Sequence, residues 1–242
     1  MGGYAPHHPV EGRCYKVPSL DWLRSEFDYG YDSGNVLSLI PGRRRWGEEQ
    51  KCGGSYRKVF NRVVRPYLRP DSRVLELGPG RGSWSRAILQ FIPQGELHTV
   101  DFQDVTQWLH SAEAGGRLIC HRVQGNTFPG VPDRYFDFFW SFGVLCHNET
   151  ASIRDILLHA RTKMKQGGVS AHQYGDWSKL DHFGWEKGGV PVEFQGRPDG
   201  EIWWPRNDQM TMCRVAKEAG WDVLQPDVGL LGRDPIILLR NP

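Results

Sequence analysis

The segment VLELGPGRGSW, residues 74–84, sets the architecture of this chain. A short apolar run contains one acid, Glu76, and leads into three alternate glycines, Gly78, Gly80 and Gly82. A helical pattern begins directly afterwards, so the order predicts a buried strand, a tight turn and the start of a helix. Because glycines leave the turn without side chains, a ligand can approach its backbone closely.

Length and composition limit the class of protein. With 242 residues, 39% apolar and 24% charged, the chain can bury one substantial core. We find no apolar run of membrane-spanning length and no signal-peptide core at the start, which predicts a cytoplasmic protein without a membrane partner. The five cysteines are scattered without a Cys-x-x-Cys pair, which disfavours a zinc cluster or a disulfide framework. A net charge of +2 does not indicate nucleic acid as a partner.

Strand and helix patterns alternate through most of the chain. Helical spacing of apolar residues occurs at 55–68, at 84–91, from Ile153 to a stop at Gly167-Gly168, and at 208–219. Strand-like runs follow the first strand (73–77) at 97–100, 118–123, 135–142, 169–174, 221–224 and 236–239. The pattern predicts an open α/β sheet with helices on both faces. Since no helix separates the last two strands, we expect a closing antiparallel hairpin.

Two segments fall outside this alternation. Residues 1–50 mix aromatic residues with Gly and Pro, which predicts an N-terminal arm or cap, and 51–242 then form the main domain. Residues 175–206 contain Trp177, Trp185, Trp203 and Trp204 among several glycines and prolines. This stretch is longer than an ordinary connection, so we interpret it as an insertion at the binding site.

Acidic and amide residues follow the next two strands. Asp101 ends the second strand, and a carboxylate there suits the two hydroxyls of a ribose. Phe102 could face an adenine ring, and Asn126, after the third strand, offers the donor and acceptor that an adenine edge requires. The glycine spacing differs from dinucleotide and nucleotide triphosphate motifs. A glycine turn with a strand-end acid and no ligand is the alternative, most of all for Asn126.

In this order and spacing, segments 74–82, 125–127 and 136–147, together with Asp101, resemble class I S-adenosylmethionine-dependent methyltransferases. The resemblance implies a Rossmann-like, seven-stranded, mostly parallel sheet. It places the methionine part of the cofactor against Gly78–Gly82, the ribose on Asp101 and the adenine near Asn126, where many members carry Asp. It also implies that Glu76, Thr127 and Ser141 contribute to the cofactor site.

The later segments resemble a narrower group. Residues 141–147 are similar to the segment after strand four in small-molecule methyltransferases. Residues 203–205, 212–213, 220–221 and 233–236 are similar by general pattern to bacterial saccharide O-methyltransferases, including those of methylated polysaccharide synthesis. The resemblance implies a small-molecule acceptor, most readily a saccharide.

Methyl transfer to a hydroxyl needs alignment in a dry site and removal of the hydroxyl proton. A neutral histidine suits the second task, and His147 follows strand four, where the methyl group should point. We therefore predict His147 as the general base. The alternative is a loop histidine that orients a neighbour.

His172, Tyr174 and Asp176 share one face if the fifth strand continues that far. They could bind acceptor hydroxyls, and His172 could be a second base. Asp176 could instead hold Mg²⁺ together with Glu149, since this ion prefers oxygen ligands, although no motif fixes such a set. Within the insertion, Trp204 could stack on a sugar and His182 could add a polar contact; a hydrophobic cover on the sheet is the alternative reading.

The sequence therefore predicts an S-adenosylmethionine-dependent O-methyltransferase acting on a hydroxyl of a sugar or oligosaccharide. Two classes of alternative stay open: a methyltransferase for RNA, amines or phenols, and a cofactor-binding module without turnover. Near-neutral charge and the lack of an Asn/Asp-Pro-Pro-aromatic element after strand four count against nucleic acid. Assembly as a homodimer is left open.

Overall fold

The computed structural model describes residues 32–242, which form one seven-stranded sheet of order β3-β2-β1-β4-β5-β7-β6. The strands are β1 Arg73–Leu77, β2 Glu96–Asp101, β3 Leu118–Arg122, β4 Phe136–Ser141, β5 Met164–Gln173, β6 Asp222–Gln225 and β7 Ile236–Arg240. The first five strands run parallel, while β7 lies antiparallel between β5 and β6. The predicted Rossmann-like sheet and closing hairpin are confirmed.

Seven α-helices surround the sheet in this part of the chain. They are α1 Arg43–Cys52, α2 Tyr56–Val59, α3 Ser83–Phe91, α4 Thr150–Lys163, α5 Trp177–Phe183, α6 Trp185–Gly188 and α7 Gln209–Glu218. The helical path of α2 continues through a wider π turn, Phe60–Val64, and a tighter 3₁₀ turn, Arg65–Tyr67, before proline-rich chain ends it. The predicted helix at 55–68 is therefore present with an irregular second half.

Two apolar layers hold the helices on opposite faces of the sheet. Residues of α1, α2 and α3 pack in one cluster, and residues of α4 and α7 pack in the other. Strand β4 supplies both layers: Phe138 and Trp140 belong to the first, and Phe139 to the second. Successive side chains of a strand point to opposite faces, so this central strand presents apolar side chains to both layers.

The sequential order of the strands reverses between β1 and β4. Both strands run in the same direction, and their last paired residues are Leu77 and Ser141. A crevice forms outside the carboxyl ends of the strands at such a reversal, and ligands of open α/β sheets bind there. The glycine turn after β1 and the segment after β4 are therefore neighbours at this edge.

The connection between α4 and β5 differs from the prediction. The expected helix stop at Gly167-Gly168 is wrong, because α4 ends at Lys163 and β5 begins at Met164. The two glycines lie within β5, where the pairing with β4 shifts register between Phe136 and Phe138. Gly167 has a positive φ of 75°, so the pair accommodates an irregularity in a strand instead of ending a helix.

Residues 1–31, part of the predicted arm, lie outside the described residues. Of the remainder of that arm, 43–50 already belong to α1, which packs against α6 of the predicted insertion. The division at residue 50 stays a prediction. Within residues 32–242 we find no helix that is long and apolar enough to cross a membrane.

Candidate functional site

The glycine turn combines left-handed backbone with close packing. Gly78, Gly80 and Gly82 have φ values of 68°, 54° and 82°, which side chains rarely permit. A Cβ at Gly78 would lie 2.4 Å from Cγ2 of Val144, and one at Gly82 would lie 2.2 Å from Cδ2 of Leu109. Two neighbouring segments thus approach the bare backbone, and only glycine fits both the conformation and the space.

Glu76 lies beneath this turn and is only 2% exposed. The hydroxyl of Ser85 donates a hydrogen bond of 2.5 Å to its Oε2. Burial raises the pKa of Glu76 to about 7, and Asp101 adds a smaller effect in the same direction. The carboxyl is therefore poised between its two protonation states at neutral pH, so a cationic ligand group nearby would favour the ionised form.

Asp101 lies at the end of β2, beside the glycine turn, since Gly78 N donates to the carbonyl of Val100 over 2.9 Å. Its Oδ1 accepts from Gln103 N at 2.9 Å, and burial raises its pKa to about 6. Phe102 follows in a partly exposed position. A buried acceptor of this kind suits hydroxyl donors such as those of a ribose.

The other predicted cofactor residues reach the same edge in different ways. Asn126 is partly exposed and Thr127 exposed in the turn after β3. Ser141 ends β4, but its buried hydroxyl forms a hydrogen bond of 2.8 Å with Nδ1 of His172. The side chain of Ser141 is therefore engaged within the core, and its backbone is what adjoins the crevice.

Asp32 and Ser33, which precede α1, contact the first residue of α3. Ser83 Oγ donates to Oδ1 of Asp32 at 3.0 Å and accepts from Ser33 N at 2.9 Å. Arg86 lies 3.7 Å from the same carboxylate. The contact spans about fifty residues of sequence, and no local pattern in the sequence indicates it. It places residues 32–33 beside the glycine turn.

His147 occupies the 3₁₀ turn Leu145–His147 that follows β4. Its Nδ1 pairs with the carbonyl of Trp203 at 2.9 Å, so Nδ1 carries the proton and Nε2 the lone pair. The ring meets that of Trp204 edge-on, with centroids 5.2 Å apart. Burial lowers the pKa of His147 to about 4, which keeps the imidazole neutral. A neutral ring with its proton on Nδ1 has a lone pair on Nε2, which is the form that a general base needs.

The structure places His172 away from the acceptor side. It is fully buried in β5, pairs with Ser141 and packs edge-on against Phe139 at 4.5 Å. Burial lowers its pKa to about 3. Phe139 belongs to the layer beneath α4 and α7, so His172 lies inside the core, where an acceptor hydroxyl could not reach it.

Tyr174 and Asp176 do not share a strand face with His172, because β5 ends at Gln173. The hydroxyl of Tyr174 donates to the carbonyl of Pro226 at 3.1 Å from a buried position. Asp176 caps α5 by accepting from Lys179 N at 3.0 Å. The strand does not continue as far as the prediction required, and each of the two polar side chains instead forms a hydrogen bond with a backbone group.

The insertion packs as a hydrophobic cover. Its buried residues form a small cluster with the turn after β4: Cys146, Leu180, Trp185, Val190, Phe194, Ile202 and Trp204. Trp204 is 2% exposed and the guanidinium of Arg233 lies 4.6 Å above its ring, so it offers no face for a sugar. His182 is exposed and donates to the carbonyl of Ser178 within α5 at 2.6 Å. Trp203 is the partly exposed ring near His147.

The predicted magnesium ligands are not assembled. Asp176 is engaged at the start of α5, and Glu149 is exposed at the start of α4. Among residues 32–242, no group of three or more His, Cys, Asp or Glu side chains is placed to hold a metal ion. The geometry therefore gives no support to a magnesium site at this edge.

A buried ion pair between Arg233 and Asp234, which the sequence analysis did not predict, joins the segment after β4, the end of β5 and the insertion. Arg233 Nη2 lies 2.7 Å from Oδ2 of Asp234, which is fully buried. Gln173 Nε2 donates to the same oxygen at 2.7 Å, while its Oε1 accepts from Gly143 N at 2.7 Å. Arg233 also donates to the carbonyl of Gly188 at 2.6 Å. The pair thus fixes the turn after β4, the end of β5 and the insertion relative to one another.

The sequence of residues 46–225 matches the family model described as "Methyltransferase domain". The chain belongs to this family. No protein of curated function matches the sequence. Among solved structures it is similar to a SAM-dependent methyltransferase from Aquifex aeolicus, with a TM-score of 0.57 and 14% identity over 81% of this chain and 93% of the other.

Two further structures share the fold. A putative sarcosine dimethylglycine methyltransferase from Galdieria sulphuraria has a TM-score of 0.54 and 13% identity, covering 77% of this chain and 85% of the other. A putative O-methyltransferase from Nostoc punctiforme has a TM-score of 0.55 and 15% identity, covering 86% and 63%. At this identity the likeness shows the fold alone.

The residues fit S-adenosylmethionine, the donor that family membership implies. The bare turn Gly78–Gly82 gives backbone access, Asp101 supplies a buried acceptor for hydroxyls, and Glu76 supplies a carboxyl that a cation would ionise. When bound, the donor supplies a methyl group activated by its attachment to a positive sulfur. This methyltransferase holds those residues at the strand reversal, where a ligand is expected.

Proposed function

We propose that this methyltransferase transfers the methyl group to a hydroxyl of a small molecule, with a saccharide as the acceptor. The observation that carries the proposal is the state of His147. Its proton is on Nδ1, bonded to the carbonyl of Trp203, and burial keeps the ring neutral with a pKa of about 4. A hydroxyl is a weak nucleophile, so a positioned neutral imidazole, which can accept the hydroxyl proton, suits its methylation.

In this proposal Nε2 of His147 would take the proton of the acceptor hydroxyl, whose oxygen would bond the methyl carbon. The carbon–sulfur bond would break with its electron pair staying on sulfur, so that the donor would leave as a neutral thioether. The carbonyl of Trp203 then stabilises the imidazolium through the Nδ1–H bond, whose length is 2.9 Å. A low pKa makes the base weak but keeps it unprotonated across the physiological range. The ion pair of Arg233 and Asp234 supports the turn that carries His147, because Gln173 links it to Gly143.

Two observations support a saccharide. Trp203 is partly exposed with its ring 5.8 Å from that of His147, and aromatic faces suit the C–H faces of sugars. The sequence pattern of residues 203–236 is also similar to saccharide O-methyltransferases. The proposal therefore moves the stacking role from Trp204 to Trp203.

A transfer assay with methyl-labelled S-adenosylmethionine tests the proposal. The acceptors are sugars, phenols, amines and RNA, each with and without EDTA. We expect label on the sugar hydroxyls, and activity that survives chelation. Label confined to amines or RNA would refute O-methylation of a saccharide.

The variant His147→Ala tests the base. We expect the turnover number to fall by roughly 10²- to 10⁴-fold, the usual range for loss of a general base, with cofactor affinity unchanged. His159→Ala is the matched control, because His159 lies on α4 away from the turn after β4. Equal turnover for His147→Ala and the control would remove His147 from the proton-transfer role.

A further inference from the structure

Four aromatic rings meet beside the glycine turn. The ring of Phe142, directly after β4, lies 4.9 Å from those of Tyr56 and Trp84 and 5.9 Å from that of Trp140. The rings come from α2, α3 and β4, and all pack in the layer beneath the first three helices. They therefore occupy the face of the sheet on which the glycine turn enters α3.

Register places Phe142 next to the turn itself. Leu77 pairs with Ser141, so the following residues, Gly78 and Phe142, stand side by side where the two strands end. The close approach of Val144 to Gly78 shows that the segment after β4 contacts the turn. Trp84 is the second residue of α3, so a second ring flanks the turn from its other end.

Exposure distinguishes Phe142 from the rings behind it. Tyr56, Trp84 and Trp140 are each 5% exposed or less, whereas Phe142 is partly exposed. The three buried rings pack around Phe142, and of the four only Phe142 retains appreciable exposure at the end of β4. The face of an aromatic ring carries negative potential and attracts a cation within about 6 Å, most strongly where water is excluded.

We propose that Phe142, supported by Tyr56 and Trp84, recognises the positive sulfur of S-adenosylmethionine and discriminates against S-adenosylhomocysteine. This inference rests on the methyl donor of the proposed function. The donor and its demethylated product both carry an ammonium, a carboxylate, a ribose and an adenine. Contacts of Glu76 or Asp101 with those groups therefore cancel in the ratio of the two affinities, and the charge on sulfur remains.

The experiment measures the dissociation constants of both ligands by titration calorimetry, for the wild type and for Phe142→Leu. Cation–π contacts of about 0.5–2 kcal/mol correspond to a roughly 2- to 30-fold change in affinity. We expect the affinity for S-adenosylmethionine to fall within this range and that for S-adenosylhomocysteine to change less than twofold. Phe91→Leu is the matched control, since Phe91 packs partly buried in the same layer at the far end of α3.

A second replacement keeps the shape of the ring. Fluorinated phenylalanine at position 142 weakens the negative potential of the ring face with little change in packing, so the affinity ratio must fall here as well. An unchanged ratio in both proteins would overturn the role of Phe142. Failure of the wild type to bind either ligand would instead refute the proposed methyl donor and, with it, this inference.

Discussion

Replacing Glu76 with Gln should stabilise the ligand-free protein at alkaline pH. Glu76 is almost fully buried, and burial raises its pKa from an ordinary 4.5 to about 7. A carboxyl with a raised pKa in the folded state keeps its proton while the unfolded chain loses one. The free energy of unfolding therefore falls as pH rises from about 4.5 to 7, and the whole penalty is present above 7.

The magnitude follows from the displacement of the pKa. At 1.36 kcal/mol per pH unit, the full penalty is about 3 kcal/mol, of which about 1 kcal/mol is already present at pH 5. Glutamine does not ionise and can still accept from Ser85. Relative to wild type, Glu76→Gln should therefore gain roughly 2 kcal/mol between pH 5 and pH 8.5.

Urea unfolding of both proteins at pH 5 and at pH 8.5, without ligand, measures this difference. Comparison of a variant with wild type removes the contributions of other titrating groups. Glu113→Gln is the control, because Glu113 is an exposed acid and its replacement removes the same charge without relieving burial. Equal pH dependence of Glu76→Gln and wild type would refute the claim that Glu76 is ionised at a cost in the folded protein.

Three further features of the structure lead to expected outcomes. Asp234→Asn removes the anionic partner of Arg233. Because this leaves a buried charge without its partner, the free energy of unfolding measured by urea titration should fall by about 3–5 kcal/mol. A fall of less than about 1 kcal/mol would contradict the role of the ion pair. Gly78→Ala should lower the free energy of unfolding by at least about 1–2 kcal/mol, because the backbone of Gly78 has a positive φ. Thermal unfolding of the double variant Gly78→Ala/Val144→Ala should show recovery of the loss due to the clash with Val144, but not of the loss due to the backbone conformation. Burial lowers the pKa of His172 to about 3, so below pH 6.5 the unfolded chain takes up a proton that the folded chain does not, and the free energy of unfolding falls as pH falls. In His172→Asn the free energy of unfolding should therefore depend less steeply on pH between 7.5 and 4.5. An unchanged slope would count against burial of a neutral ring.

Local patterns were sufficient wherever the physical cause was local. The strand Arg73–Leu77 has its predicted bounds, and the three glycines after it form the predicted tight turn, with left-handed backbone at each. The helix predicted at 208–219 is α7, and Asp208 caps it by accepting from Thr211 N at 2.7 Å. The prediction at Gly167-Gly168 was wrong because the same glycines that end a helix also permit a strand irregularity, and pairing with β4 decided between them.

Site residues on the acceptor side could not be assigned in the same way. An alternating pattern placed His172, Tyr174 and Asp176 together, but the end of β5 at Gln173 gave each a different environment. Trp204 and Trp203 are adjacent and chemically alike, and only tertiary packing, against Arg233 and the cluster of the insertion, buries one ring and leaves the other partly exposed.

By itself the sequence determined the order of elements, the position of the bare turn and the family that its motifs resemble, because periodicity and glycine spacing act over a few residues. The tertiary structure alone decided which polar groups are buried, which are engaged by partners far along the chain and which face the crevice. The proton on Nδ1 of His147, the raised pKa of Glu76 and the position of Phe142 beside Gly78 all depend on segments brought together by the sheet. Desolvation and long-range hydrogen bonds produce these properties, and neither has a signature in a local pattern of residues.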